Sequence, residues 1–311
     1  MSFNSATASW SAASPLPLLT QSILTAVLCV MANAQTNLPP TTMQLPIKVR
    51  QGVLMAEASI NGSEPLAFKV DTGFGITVIH PDLVEPLKLR RAGHLTINGI
   101  AGDEQAGMFA DAVFDFNGMP FAPRRVAALP SEARRRRRTR DGILGADFFR
   151  RFVVELDFVG RSMRLHQPDH FTYAGKGEVF LLRFKRDTPI VEATIVPIGG
   201  GAITGPFEID TGCDDYVCLG HEFVAANRLL ENTNAGPNDL RHGVGGSAEI
   251  RSGKLEQLRL GNQIVKEPSA NFFLEGSPAG EGQAGHIGLG ALQQFRVILD
   301  YSRRQMILER P

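Results

Sequence analysis

The feature that most constrains this chain is a long-range internal repeat. FKVDTGFGITVI (Phe68 to Ile79) matches FEIDTGCDDYVCL (Phe207 to Leu219), with Asp71 and Asp210 separated by 139 residues. GILGADFFRRFVVELDFVGRSMRL, starting at Gly142, aligns without a gap to GHIGLGALQQFRVILDYSRRQMIL, starting at Gly285, an offset of 143. Between these blocks lie GIAGDEQ from Gly99 and GVGGSAE from Gly243, at an offset of 144. Order and spacing are kept in all three pairs. A period near 140 is far beyond that of solenoid repeats, so the chain reads as two copies of one domain. The copies are residues 45–167 and 178–311, joined by a linker at 168–177.

Each copy reads mostly as strands. VLMAEASI places Leu54, Ala56, Ala58 and Ile60 on one face at period two. Asn61-Gly62 then supplies a hairpin turn before the strand that carries Asp71. In the second copy Gly199, Gly200 and Gly201 hold the same place, and a strand follows them, so they predict a hairpin loop and not a phosphate cradle. Short helices are predicted at Ala146 to Arg151 and Ala291 to Phe295, and further ones at Pro81 to Leu87 and His221 to Leu230. The predicted class is all-β with short helices, in two homologous halves.

The first charged residue is Lys48, and within the uncharged stretch an apolar run, Ile23 to Met31, precedes Ala32-Asn33-Ala34. The run is too short to span a bilayer and ends on a small-residue cleavage pattern. Residues 1–34 therefore read as a secretory signal and 35–44 as an extension of the mature, exported protein, without a stable membrane anchor. Formal net charge is zero over 311 residues, which argues against nucleic acid as the main partner. Cleavage would leave Cys213 and Cys218. With residues 213–218 extended, their Cα atoms would lie roughly 16 Å apart, too far for a disulfide, so two free thiols are expected.

A single D-T-G is weak, since average composition produces one in roughly one chain of this length in fifteen, and Asp and Gly both form turns. Here two occur, each after an apolar strand and each followed by the same downstream blocks. These residues resemble the aspartic protease clan, and its retropepsin-like branch in particular, across nearly the whole mature chain. DTGCDDYVCL is similar to that branch's D-T-G segment, GVGG to its flap tip, and IGLGALQQF to the segment leading into its C-terminal helix. The resemblance implies a pseudo-two-fold pair of β domains with a cleft between them, a monomer containing an internal pseudo-dimer. It also implies hydrolysis of a polypeptide substrate by water activated between Asp71 and Asp210. Two carboxyls a few Å apart cannot easily both ionise, so the pair holds one proton and supplies acid and base together. Thr72 and Thr211 would lock the loops to each other, and Gly73 and Gly212 would allow backbone angles that a Cβ forbids. Gly99, Ile100, Gly102, Gly243, Val244, Gly245 and Gly246 would form flaps over an extended substrate, with Asp214 and Asp215 contacting it at one end. No metal or organic cofactor is implied.

Three departures from the pattern matter. The branch's Arg is replaced by Ala146 and Leu289, leaving Asp214 in need of another partner. Gly75 and Ile76 stand where the second copy has Asp214 and Asp215. Phe74 and Cys213 occupy positions where pepsin-like sequences carry a hydroxyl, so a milder acid optimum is expected. The basic run Arg134 to Arg140 reads as a solvated loop, and HQPDH, with His166 and His170, is interrupted by Pro168 and does not read as a metal site. The remaining His read as structural. A non-catalytic peptide-binding protein, or a protease limited to its own chain, are the competing readings.

Overall fold

In a computed structural model, residues 39–99, 102–133, 139–231, 235–243 and 246–311 are described. The proposed signal, flap residues Ile100, Val244 and Gly245, and residues 134–138 of the basic run lie outside them. The compact unit considered below is Pro40–Pro311. Among the described residues it contains three sheets and a few short helices.

The first sheet holds the first copy. Val53–Ile60 buries Leu54, Ala56, Ala58 and Ile60 and turns its other residues outward, as alternation requires. It pairs antiparallel with Leu66–Val70 across a turn in which Asn61 and Gly62 both adopt positive φ. Gly142–Leu144 then runs parallel to Leu66–Val70, so that Gly142 faces Phe68, and antiparallel to Val78–Ile79. The second copy repeats this register. Gly285–Gly288 runs parallel to Ile203–Asp210, with Gly285 facing Phe207, and antiparallel to Val217–Leu219. The strand that ends at each D-T-G is thus held by its own copy's Gly segment.

A third sheet joins the copies. Its order is Thr42–Pro46, Ser162–His166, Val153–Asp157, Arg296–Asp300, Gln305–Glu309 and Glu178–Leu181. At its centre Glu155 pairs with Ile298, its own counterpart in the repeat, and Val154 and Leu156 pair with Leu299 and Val297. A residue facing its own equivalent is the signature of a two-fold axis. Glu155 also receives Arg296 across this seam, together with Arg164 and His166.

The core of the first copy is an aromatic cluster in which Phe148 touches Phe116, Phe121, Phe149 and Phe152. Each fully buried ring contributes about 2–3 kcal/mol. The helix Ala146–Arg151 forms where the sequence predicts it. Its counterpart is Leu289–Leu292 and not Ala291 to Phe295, because Leu289 N–H donates to the Cys213 carbonyl as Ala146 N–H donates to that of Phe74. The two further helices are shorter than predicted, at Pro81–Leu83 and His221–Ala226.

Candidate active site

Each D-T-G follows the C-terminal end of its strand, and the two turns meet. Thr72 Oγ1 donates to the Ile209 carbonyl at 2.6 Å and accepts the Thr211 N–H at 2.9 Å. Reciprocally, Thr211 Oγ1 donates to the Val70 carbonyl at 3.0 Å and accepts the Thr72 N–H at 3.1 Å. Both threonines are fully buried, so four hydrogen bonds between the copies lie out of water.

This lock places Asp71 and Asp210 side by side, 4% and 8% exposed and within hydrogen-bonding reach of each other. Asp71 Oδ1 accepts Gly73 N–H at 3.0 Å, and Asp210 Oδ1 accepts Gly212 N–H at 2.8 Å. The glycines serve close approach, not an unusual φ. Neither has the positive φ that side chains avoid, but a Cβ on Gly212 would sit 2.2 Å from the Asp71 carboxyl, and one on Gly73 2.8 Å from Asp210 Oδ1. The backbone-angle expectation for these two residues is therefore corrected: each is a glycine because the opposite acid packs against it.

The second oxygen of each acid is held by a base. Lys69 Nζ lies 2.9 Å from Asp71 Oδ2, and His286 Nδ1 lies 3.0 Å from Asp210 Oδ2. Glu208 in turn lies 3.0 Å from His286 Nε2. As expected, Phe74 and Cys213 supply no hydroxyl to the pair; a basic side chain reaches each carboxyl instead, from a neighbouring strand position. His286 is likewise part of the site, not a structural histidine.

Burial raises the Asp71 pKa, and the Asp210 charge adds to it, outweighing the pull of Lys69. Burial also pushes Asp210 up, yet the hydrogen bond and charge of His286, the Lys69 charge and the Gly212 N–H more than offset it. Asp210 therefore sits well below the usual carboxylate range, and the two acids are pushed apart. His286 is raised well above an ordinary imidazole, since burial, which lowers it, is outweighed by Asp210 and by the neighbouring Cys213 and Glu208. With Lys69 and His286 charged and Asp210 ionised, a proton kept on Asp71 removes the repulsion between the two buried carboxyls.

The dyad opens into a cleft of about 660 Å³ that also touches Phe74, Ile76, Thr96 and Arg186. One wall, Leu95 to Ile97, comes from the hairpin of Arg90–Gly99 paired with Gly102–Ala110. At the tips Gly99 faces Gly102 and Gly243 faces Gly246, and Gly102 and Gly246 both have positive φ, at 148° and 141°.

An aspartyl protease family profile matches residues 56–148, which contain the Asp71 turn and the Gly142 segment. The fold is similar to that of the aspartic proteinase from Irpex lacteus, with a TM-score of 0.58 at 12% identity, over 86% of this chain and 97% of that one. The first copy thus carries an aspartyl protease segment, and the fold is that of an aspartic proteinase. No curated protein matches its sequence.

Asp214 and Asp215, expected to contact substrate, are not among the residues that line this cleft. Both are ion-paired to Arg241, which comes from the hairpin of Asn238–Gly243 paired with Gly246–Leu260 and gives Asp214 a partner in the absence of the family's Arg. The cysteine geometry also differs from the sequence expectation. Residues 211–216 fold back in a turn, with Cys213 N–H donating to the Asp210 carbonyl, so the sulfurs lie 3.8 Å apart. Both thiols are nonetheless free.

Proposed function

We propose that the protein is an aspartic endopeptidase in which Asp71 and Asp210 activate one water between them. The observation that carries this is the reciprocal Thr72–Thr211 lock, which seats two buried, differently tuned acids at the floor of one cleft. Asp210, held ionised by His286, takes a proton from the water as its oxygen attacks the scissile carbonyl carbon. Asp71 gives its proton to the carbonyl oxygen, and the tetrahedral diol collapses with proton transfer to the leaving nitrogen. Lys69 and His286 stay charged and supply fixed countercharge. The substrate lies extended as an added strand under the glycine-tipped hairpins, whose closure excludes water. Export, as read from residues 1–34, belongs to the same proposal.

The test is to incubate the wild type and Asp210→Asn with a mixed peptide library over roughly pH 3 to 7. Cleavage by the wild type alone supports the assignment, and equal cleavage by both refutes it. Saturable peptide binding without cleavage by either protein would identify a peptide-binding module.

A further inference from the structure

Beside the dyad, the second copy carries a group of side chains that the proposed hydrolysis does not use. Cys213 Sγ and Cys218 Sγ are 3.8 Å apart, Cys213 Sγ is 3.7 Å from Asp215 Oδ2, and Cys218 Sγ is 3.3 Å from the same oxygen. A tetrahedral zinc ion with Zn–S near 2.3 Å and Zn–O near 2.0 Å requires about 3.8 Å between two sulfurs and about 3.5 Å between sulfur and oxygen. The three donors therefore already occupy one face of such a tetrahedron. A disulfide would require the sulfurs to close to about 2.05 Å.

We propose that Cys213, Cys218 and Asp215 bind a thiophilic divalent cation of the zinc class, with water as the fourth ligand. Cys218 is buried while Cys213 is only half-buried, which leaves one side of the site open to that water. Binding replaces two S–H bonds by two metal–thiolate bonds and releases two protons to solvent. Two thiolates and the Asp215 carboxylate are offset by the cation together with Arg241, which lies on Asp215 Oδ2 as well as on Asp214, so the remaining negative charge falls on Asp214, a side chain that is 46% exposed.

The repeat supports a dedicated site. The first copy has Phe74, Ile76 and Ile79 at the three equivalent positions, so the fold itself needs no polar or sulfur group there. All three donors are confined to the second copy. Cys213 also lies within ligand distance of Asp210 and His286, so a cation here would place its charge beside the dyad.

The test is to titrate the reduced, full-length protein with Co²⁺ and then displace it with Zn²⁺. One equivalent should give a thiolate-to-cobalt charge-transfer band with tetrahedral ligand-field absorption, bleached by Zn²⁺, whether or not the protein cleaves peptides. Cys218→Ala, at a position where the first copy seats Ile79, should lose the band. Cys213→Ser, at a half-buried position, should lose it as well if Cys218→Ala does not fold. Absence of the band at one equivalent, its retention in a folded cysteine variant, or loss of both thiols to a disulfide in metal-free protein would overturn the proposal.

Discussion

Replacing Thr72 by Val tests whether the two copies are locked as described. Val keeps the shape of Thr, so no cavity forms, but the hydroxyl that donates to Ile209 at 2.6 Å and accepts from Thr211 at 2.9 Å is lost. Both abandoned partners are backbone groups in a fully buried turn. Each buried group left without a partner costs about 1–3 kcal/mol, so the variant should lose about 2–6 kcal/mol of stability. Against a typical domain stability of about 5–15 kcal/mol, that is a large fraction. Thr211→Val abandons the Thr72 N–H and the Val70 carbonyl and should lose a similar amount. Because the two hydroxyls are themselves 3.5 Å apart, the double variant should depart from additivity by about 0.5–3 kcal/mol. Denaturant unfolding measures the loss, with kcat/KM recorded in parallel and Thr72→Ser, which keeps the hydroxyl, as control. A loss below about 0.5 kcal/mol for Thr72→Val, with unchanged kcat/KM, would refute the reasoning.

Removing the base from Asp210 should move the pH profile. In His286→Leu the Asp210 pKa rises, so the acid limb of kcat/KM should shift to higher pH; an unmoved limb would contradict the assigned role. His286 itself has a raised folded pKa, so its contribution to stability should be full below about pH 6.5 and lost as pH climbs through the folded value. Gly212→Ala should impair catalysis more than Gly73→Ala, since its Cβ would approach the facing carboxyl to 2.2 Å against 2.8 Å, and the ratio of their kcat/KM values checks this. Burial raises Glu155, but His166, Arg296 and Arg164 outweigh it and hold the carboxyl at about 2. Its contribution to the seam should therefore be present above about pH 4.5 and fade as pH falls toward 2, a loss that melting of Glu155→Gln should not show in that window.

The repeat made the fold legible because each copy reuses one pairing register, and sequence offsets of 139 and 143 carry Phe68 and Gly142 onto Phe207 and Gly285. Lys69 was also accessible from sequence, since a residue two before Asp71 on a strand shares its face. His286 was not, because its reach to Asp210 depends on a parallel pairing between segments 76 residues apart. Arg241 is farther from a local signal still: it meets Asp214 and Asp215 only through the placement of the hairpin Asn238–Gly243 beside their turn. The cysteine spacing misled because a turn shortens six residues that alternation alone would extend. Likewise, the glycines after each Asp-Thr look like turn formers, and only the assembled pair of loops shows the carboxyl that excludes a side chain.

The central claim is that Asp71 and Asp210 form one catalytic unit. The most direct measurement is kcat/KM on a single cleavable peptide for Asp71→Asn, Asp210→Asn and the double variant. Groups that act together are strongly non-additive, so each single variant should lose roughly as much as the double. Independent, multiplying losses, or a single variant that keeps wild-type activity, would contradict it.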